Sequence, residues 1–305
     1  MLRHLGFVAM ALGIDANTAR TCRLRNANPG RLRELIGSNL CELASVLNYC
    51  VEREIHLYRI SSDLIPFASH PINVIPWWEE FADRFERLGA LIRRHAIRVS
   101  MHPGQFTVLN STNPSVVTSS IAEVGWHVRL LDALGTGPSS KIVLHIGGAF
   151  GDKSAAMARF ASVVADLPEG YRRRIVVEND EHVFSVEDAL EVSARTGLPV
   201  IYDNLHDAIH SGRHNVPGRL LADVFSTWGN EDGPPKIHIS TQAPGGRPGQ
   251  HADEIDSEDV LRVLDAAPPG RAFDAMLECK KKDLALLALR EALRSRGVVE
   301  SGVAA

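Results

Sequence analysis

The sequence predicts one α/β domain, a (β/α)8 TIM barrel, and three observations carry that expectation. Short β-branched or aliphatic runs occur eight times, helical periodicities separate them, and no linker or low-complexity break interrupts the 305 residues. Parallel strands need helical crossovers, so a strict alternation of this length closes into a barrel. The competing arrangement, an open doubly wound sheet, would carry a Gly-rich phosphate turn after its first strand. Here Ala9-Met-Ala-Leu-Gly13 contains no G-x-G-x-x-G.

The first strand is read at residues 2–8, and a long loop at 9–30 follows it on the catalytic rim. A helix over 31–52 places Leu32, Leu35, Ile36, Leu40, Leu43 and Leu47 on one stripe. Strands at 55–61 and 96–102 flank a helix at 78–95, whose inner face carries Trp78, Phe81, Phe85, Leu88 and Ile92. The helix at 114–134 is delimited by Asn113 as cap, Pro114 in its first turn and Gly135 beyond its end. Strand 141–146, helix 153–166 and strand 174–178 come next. A helix at 186–196 opens on Ser185-Val-Glu-Asp188, close to a capping box, and stops at Gly197. Strands 199–203, 236–240 and 274–279 alternate with helices 217–227, 257–265 and 282–296. The domain is expected to span 1–296, with the tail 297–305 fraying.

Composition is that of an ordinary globular protein: 45% hydrophobic and 23% charged residues exclude disordered, collagen-like and disulfide-scaffold classes. The formal net charge of −4 advertises neither nucleic acid nor an anionic membrane. That argument is weak if carboxylates are metal ligands, since bound cations would neutralise them. Cys22, Cys41, Cys50 and Cys279 form no C-x-x-C pair, which excludes a zinc ribbon and fits reduced cytosolic thiols. The apolar stretch 5–14 is short, contains two glycines and is needed as the first strand, so it is not read as a signal peptide. No run reaches the ~18 apolar residues of a membrane span. A cytoplasmic monomer, nucleoid-associated when acting on DNA, is the expectation.

Barrel chemistry sits at the C-terminal ends of the strands. His102 closes the third strand and His145 lies near the end of the fourth. Glu178 closes the fifth, and Asp203 closes the sixth with His206 just beyond. His238 sits in the seventh, Glu278 near the end of the eighth, and His251 on a Gly/Pro-rich loop after the seventh. A lone strand-end His or Glu is most often a hydrogen-bonded structural group; six consecutive strands in register are a different matter. Crowded carboxylates and imidazoles carry a large electrostatic cost that divalent cations remove. Mixed nitrogen and oxygen donors suit Zn2+, Mn2+ or Fe2+ better than Mg2+ or Ca2+, and eight ligands imply two or three ions. Lys236 and His238 are two apart in one strand, which puts a lysine on the same face, against the plainer reading of a solvated barrel-end residue.

The chain resembles the UV damage endonucleases, repair enzymes sharing their barrel with AP endonucleases and xylose isomerases. The resemblance runs from about residue 1 to 290. Its motifs are Pro66-Phe-Ala-Ser-His-Pro71, Ser100-Met-His-Pro-Gly-Gln-Phe106, Leu144-His-Ile-Gly-Gly-Ala149, Val177-Glu-Asn-Asp180, Asp203-Asn-Leu-His206, Lys236-Ile-His-Ile-Ser240, His251-Ala252 and Glu278-Cys-Lys280. It implies a Mn2+-dependent endonuclease, with Zn2+, Fe2+ or Mg2+ as alternatives, acting on double-stranded DNA that carries UV lesions. Such an enzyme nicks just 5′ to pyrimidine dimers, 6-4 products or abasic sites and leaves 3′-hydroxyl and 5′-phosphate ends. It further implies one metal group of His102, His145 and Glu178, and a second of Glu178, Asp203, His238 and Glu278. A third would contain His206 and His251, with Lys236 beside it resembling a lysine that can be carboxylated. Glu178, Lys236 and His238 are then the expected catalytic residues.

Gln105 and Phe106 resemble the pair that probes damaged DNA, filling the gap left by flipped nucleotides. Phe7 and Phe106 stand where some relatives have tyrosine, so stacking survives without a hydroxyl. Asp207 follows His206 where a second histidine is common. Asp180 and Glu181 are read either as partners of the ligands or as a solvated acidic loop. Phosphate contacts are expected from Arg20, Arg23 and Arg25 in the first loop, from Arg213 and His214 after the sixth strand, and from Arg247 after the seventh. The triplet 172–174 reads as a solvated turn at the opposite end. A sugar isomerase or AP endonuclease of the same superfamily and a non-catalytic damage-binding protein are the rival readings. The ligand surplus and the probe pair weigh against them.

Overall fold

A computed structural model describes residues 1–301. Eight strands form: β1 (Leu2–Val8), β2 (Leu57–Arg59), β3 (Arg98–Ser100), β4 (Ile142–His145), β5 (Ile175–Glu178), β6 (Val200–Ile201), β7 (Lys236–Ile239) and β8 (Phe273–Leu277). They pair in parallel as β3-β2-β1-β8-β7 and β4-β5-β6. Two bridges, Met101 with Ile142 and Asp203 with His238, join the two sheets, so the ring closes in chain order. This is the predicted barrel, with strands shorter than the apolar runs because pairing stops where each chain leaves the ring.

Eleven helices surround it: α1 (Pro29–Glu52), α2 (Trp77–Glu80), α3 (Ala82–Arg94), α4 (Pro114–Ala133), α5 (Lys153–Asp166), α6 (Glu169–Arg172), α7 (Val186–Thr196), α8 (Asn204–Ser211), α9 (Gly218–Ser226), α10 (Ser257–Ala266) and α11 (Lys282–Ser295). The predicted capping works as read. Asn113 accepts the Ser115 N–H ahead of α4, and Ser185 with Asp188 closes a reciprocal capping box on α7. Gly197 ends α7 with φ of 74°, a left-handed conformation that favours glycine. The single helix expected at 78–95 is instead two, broken at Phe81, and Trp77 rather than Trp78 is the buried indole. α6 and α8 have no counterpart in the sequence reading. No helix among the described residues is long and apolar enough to cross a membrane. All four cysteines are free.

Inside the ring, Val143, Val176 and Ile201 pack on Trp228, which closes the barrel floor and donates its indole N–H to the Val200 carbonyl. Below them lies a layer of paired charges. Asp274 receives Arg3 and Arg98, each at 2.8 Å, and Lys141 meets Asp232. Arg174 is buried against Asp132 and three backbone carbonyls. This corrects the reading of 172–174 as wholly solvated: Arg172 and Arg173 are surface residues, whereas Arg174 pins the floor.

The tail expected to fray is docked as far as it is described. Glu300 is buried, pairs with Arg290 and accepts the Leu5 N–H at 2.8 Å, while the Ser301 N–H bonds to the Leu2 carbonyl. Pairing of β1 with β2 begins only at Gly6, so Glu300 and Ser301 satisfy backbone groups of β1 that precede it. Residues 302–305 lie outside the described residues.

Candidate metal centre

Glu178 is the hub of the rim. It is fully buried at the end of β5, yet its carboxylate meets imidazoles from three other elements. Oε1 stands 2.5 Å from His238 Nδ1, and Oε2 stands 3.0 Å from His102 Nε2 and 3.6 Å from His145 Nε2. His206 Nδ1 is 4.0 Å away. The in-register pairing of His145 with Glu178 across β4 and β5 makes the closeness inevitable. Burial alone would push Glu178 up, but His238, His145 and His102 hold it well below the usual carboxylate range.

Two triplets have ligand atoms within 4.8 Å of one another: His102, His145 and Glu178, and Glu178, Asp203 and His238. Both share Glu178. Asp203 caps α8 with Oδ1, which accepts the Leu205 and His206 N–H groups, whereas its buried Oδ2 has no partner. Burial, reinforced by the charges of Glu178 and Glu278, lifts Asp203 to about 7 against the pull of His206. His206 is lifted to about 9, because Asp203, Glu178 and Glu181 outweigh the effect of burial. His206 Nδ1 donates to the Asn179 carbonyl at 3.1 Å, which leaves Nε2 facing the cavity edge 3.6 Å from Glu181. His145 Nδ1 is a second buried atom without a partner. Carboxylate and imidazole ligand atoms gathered in two triplets around Glu178, with the Asp203 Oδ2 left unpartnered, are a donor set that fits divalent cations.

Glu278 stands 3.2 Å from His238 Nδ1 and 2.6 Å from Arg59 Nη1, the latter a charge contact without hydrogen-bond alignment. Arg59 at the end of β2 also places Nη2 2.7 Å from His238 Nε2. The sequence reading missed it because an arginine at a strand end carries no ligand pattern. His251 faces the same cavity of about 520 Å³ as Glu278, His206, Gln105 and Phe106. Its loop is held as a hairpin by the Ala243 N–H donating to the Gln250 carbonyl and the Ala252 N–H donating to the Thr241 carbonyl.

Lys236 begins β7 level with Asp274, two residues before His238 and on the same face, and it is fully buried, so it is not a solvated barrel-end residue. Burial first, then Arg98 and Arg59, holds its amine well below the ordinary lysine value.

The residues expected to face DNA divide. Phe106 is 70% exposed beside Gln105, its ring laid on Gly104 so closely that a Cβ there would stand 2.4 Å away. Phe7 is fully buried, facing the helices and tilted against Tyr58, so it cannot stack on a base; strand alternation turns Gly6 and Val8 inward instead. Arg23, Arg25, His214 and Arg247 are exposed. Arg20 pairs with Glu42, and Arg213 is committed to Asp207 and Glu187, so Arg213 tethers its own loop rather than presenting a free charge. The departure at Asp207 is thereby explained: it is the buried anchor for Arg213. Asp180 staples its own turn through the N–H groups of residues 182–184, while Glu181 faces His206.

Fold and rim together define a (β/α)8 barrel with two candidate metal-binding groups that share one carboxylate. Comparison with known proteins specifies it further. The family described as UV-endonuclease UvdE matches residues 3–304. The chain is 35% identical over 284 residues to the UV DNA damage endonuclease of Clostridium perfringens (strain 13 / Type A), covering 93% of this chain and 69% of that protein. It is 32% identical over 308 residues to that of Bacillus cereus (strain G9842), covering 98% and 97%. The crystal structure of SacUVDE superposes with a TM-score of 0.90 at 36% identity, over 97% of this chain and 99% of that one. The protein belongs to the UV damage endonuclease family. Endonuclease IV from Thermus thermophilus, at 15% identity and a TM-score of 0.58 over 96% and 99% of the two chains, shares the fold.

Proposed function

We propose that the protein is a metal-dependent repair endonuclease that nicks DNA immediately 5′ to UV photoproducts, leaving 3′-hydroxyl and 5′-phosphate ends. The observation that carries this reading is the Glu178 carboxylate, buried and touched by histidines of three other elements beside the partnerless Asp203 Oδ2. His102, His145 and Glu178 would hold one ion, and Glu178, Asp203, His238 and Glu278 a second. His206 and His251 would contribute to a third, with Mn2+ the proposed metal. When bound, such ions activate water, polarise the phosphate and stabilise the leaving oxygen.

The chain's own residues supply the rest. Glu178 stays ionised while buried, and the Asn179 carbonyl fixes the ring of His206. Burial holds the Lys236 amine well below the ordinary lysine value, which favours the neutral form that would take up carbon dioxide as the family resemblance implies. Gln105 and Phe106 would fill the gap left by displaced nucleotides, and the exposed rim arginines would follow the phosphates. A labelled duplex with one photoproduct tests the reading: cutting on the 5′ side with Mn2+ and none after exhaustive chelation is expected. Cutting that survives chelation would sink the metal mechanism, and aldose isomerisation without nicking would favour the sugar-isomerase alternative.

A further inference from the structure

Of all phenylalanine, tyrosine and tryptophan rings in the described residues, two fall in the exposed class, Phe106 at 70% and Phe150 at 48%. They sit on consecutive rim loops, after β3 and after β4. Gly104 and Gln105 of the first loop and Gly147 and Gly148 of the second line one cavity of about 330 Å³, whose inner end is formed by His102 and His145. The two loops are built alike. Each ring lies on a glycine that could not carry a side chain without displacing it: a Cβ at Gly148 would stand 3.1 Å from the Phe150 ring.

Phe150 has φ of 51°, the left-handed region that a residue with a Cβ rarely adopts, and it is followed by Gly151 at 83°. Such a conformation persists where its surroundings determine it, and they do so here. Asn110 donates to the Gly148 carbonyl at 2.8 Å, Arg159 donates to the Asn110 carbonyl at 3.0 Å, and the Arg159 guanidinium lies 5.5 Å from the Phe150 ring centre. An apolar ring kept half in water, on a strained backbone that neighbouring side chains brace, gains little for the fold. A rigid exposed ring instead suits stacking on a planar partner, since little freedom is lost on binding.

Resting on the endonuclease reading above, we infer that Phe150 is a second stacking platform for DNA. It would grip the face of an unstacked nucleobase beside the cavity that its loop shares with the loop of Phe106. Phe106 and Phe150 would bracket the distorted segment, so damage is read by two rings and both contacts are lost on regular duplex, whose bases offer no free face.

The test uses the metal-loaded protein and a duplex with one thymine dimer and an uncleavable methylphosphonate at the junction to be cut. Phe150→Ala should weaken binding to this duplex by about 5- to 150-fold, the range for loss of one base–aromatic stack, and change binding to undamaged duplex less than about twofold. Phe150→Trp should restore the preference. Phe150→Leu, which keeps apolar packing and removes the π face, should not. Retained preference in Phe150→Ala, an equal loss on damaged and undamaged DNA, or full rescue by leucine would each overturn the inference while leaving the endonuclease reading intact. Wild-type protein without preference for the damaged duplex would overturn that reading and this inference together.

Discussion

The two ends of the barrel interior bury comparable amounts of charge and treat it in opposite ways. At the floor, Asp274 has Arg3 and Arg98, Lys141 has Asp232, and Arg174 has Asp132 with a ring of carbonyls. At the rim, Arg59 pairs with Glu278, while Glu178 and Asp203 face histidines, with Asp203 Oδ2 and His145 Nδ1 left unpartnered. A buried charge is tolerable when paired and costly when it is not. The floor is therefore paired within the protein, whereas the rim leaves donor atoms that the proposed cations would satisfy.

The largest expected effect lies at the rim. Glu178→Gln should preserve the barrel but lower nicking by more than about 10³-fold, because one substitution removes a ligand from both groups. Metal analysis showing a full complement in that variant, with near-normal cutting, would refute the bridge. At the floor the signature reverses. Asp274→Ala strands two guanidinium groups and should cost about 3–5 kcal/mol of stability, read by denaturant unfolding, while bound metal per folded molecule stays the same. Loss of metal in step with stability would erase the distinction between the two ends.

Protonation sharpens it further. With His206 lifted to about 9 and Asp203 to about 7, protons compete with cations at the metal-free rim near neutral pH. Ligands bind deprotonated, so metal affinity should rise between pH 7 and 9 and loading at pH 7 should release protons. Calorimetry in two buffers of different ionisation enthalpy measures this; identical apparent enthalpies would show that no proton leaves.

Two smaller effects concern the rim's outer edge. Replacing Gln105 and Phe106 by alanine should remove roughly 1–3 kcal/mol of affinity for damaged duplex and leave the metals in place. If the double variant keeps its preference for damaged DNA, those side chains merely pack at the end of β3. Arg247→Ala should reduce the salt dependence of binding by about one unit, as should Arg20→Ala if Arg20 leaves Glu42 for a phosphate. An unchanged slope for Arg20→Ala would mean that its ion pair persists on DNA.

The barrel was legible because its strands announce themselves by β-branched runs and its helices by cap residues such as Asn113, Ser185 and Gly197. The convergence at Glu178 was legible because strand ends of a barrel meet at one rim. Other features were hidden for physical reasons. α8 begins at Asn204, but its cap is Asp203, a residue already read as a ligand, so one side chain concealed the other role. Phe7 was misplaced because strand alternation leaves the inward parity open until the register is known, and Gly6 set it. Arg213 read as a free cation because its partners, Asp207 and Glu187, lie on two different helices. The burial of Lys236 was open in the sequence, since it follows from the stagger of β7 against β8, which sets Lys236 level with Asp274.

The seam between β1 and β8 has a temporal meaning. Leu5 and Glu300 are 295 positions apart, and a ribosome adding roughly 5–20 residues per second takes at least about 15 s to make the one after the other. Through that interval the nascent sheet carries an unpaired β1 edge of apolar residues, the kind of edge that recruits stray strands or a chaperone. Glu278 emerges near the end of the same interval, so the full set of proposed ligands exists only once synthesis is nearly finished.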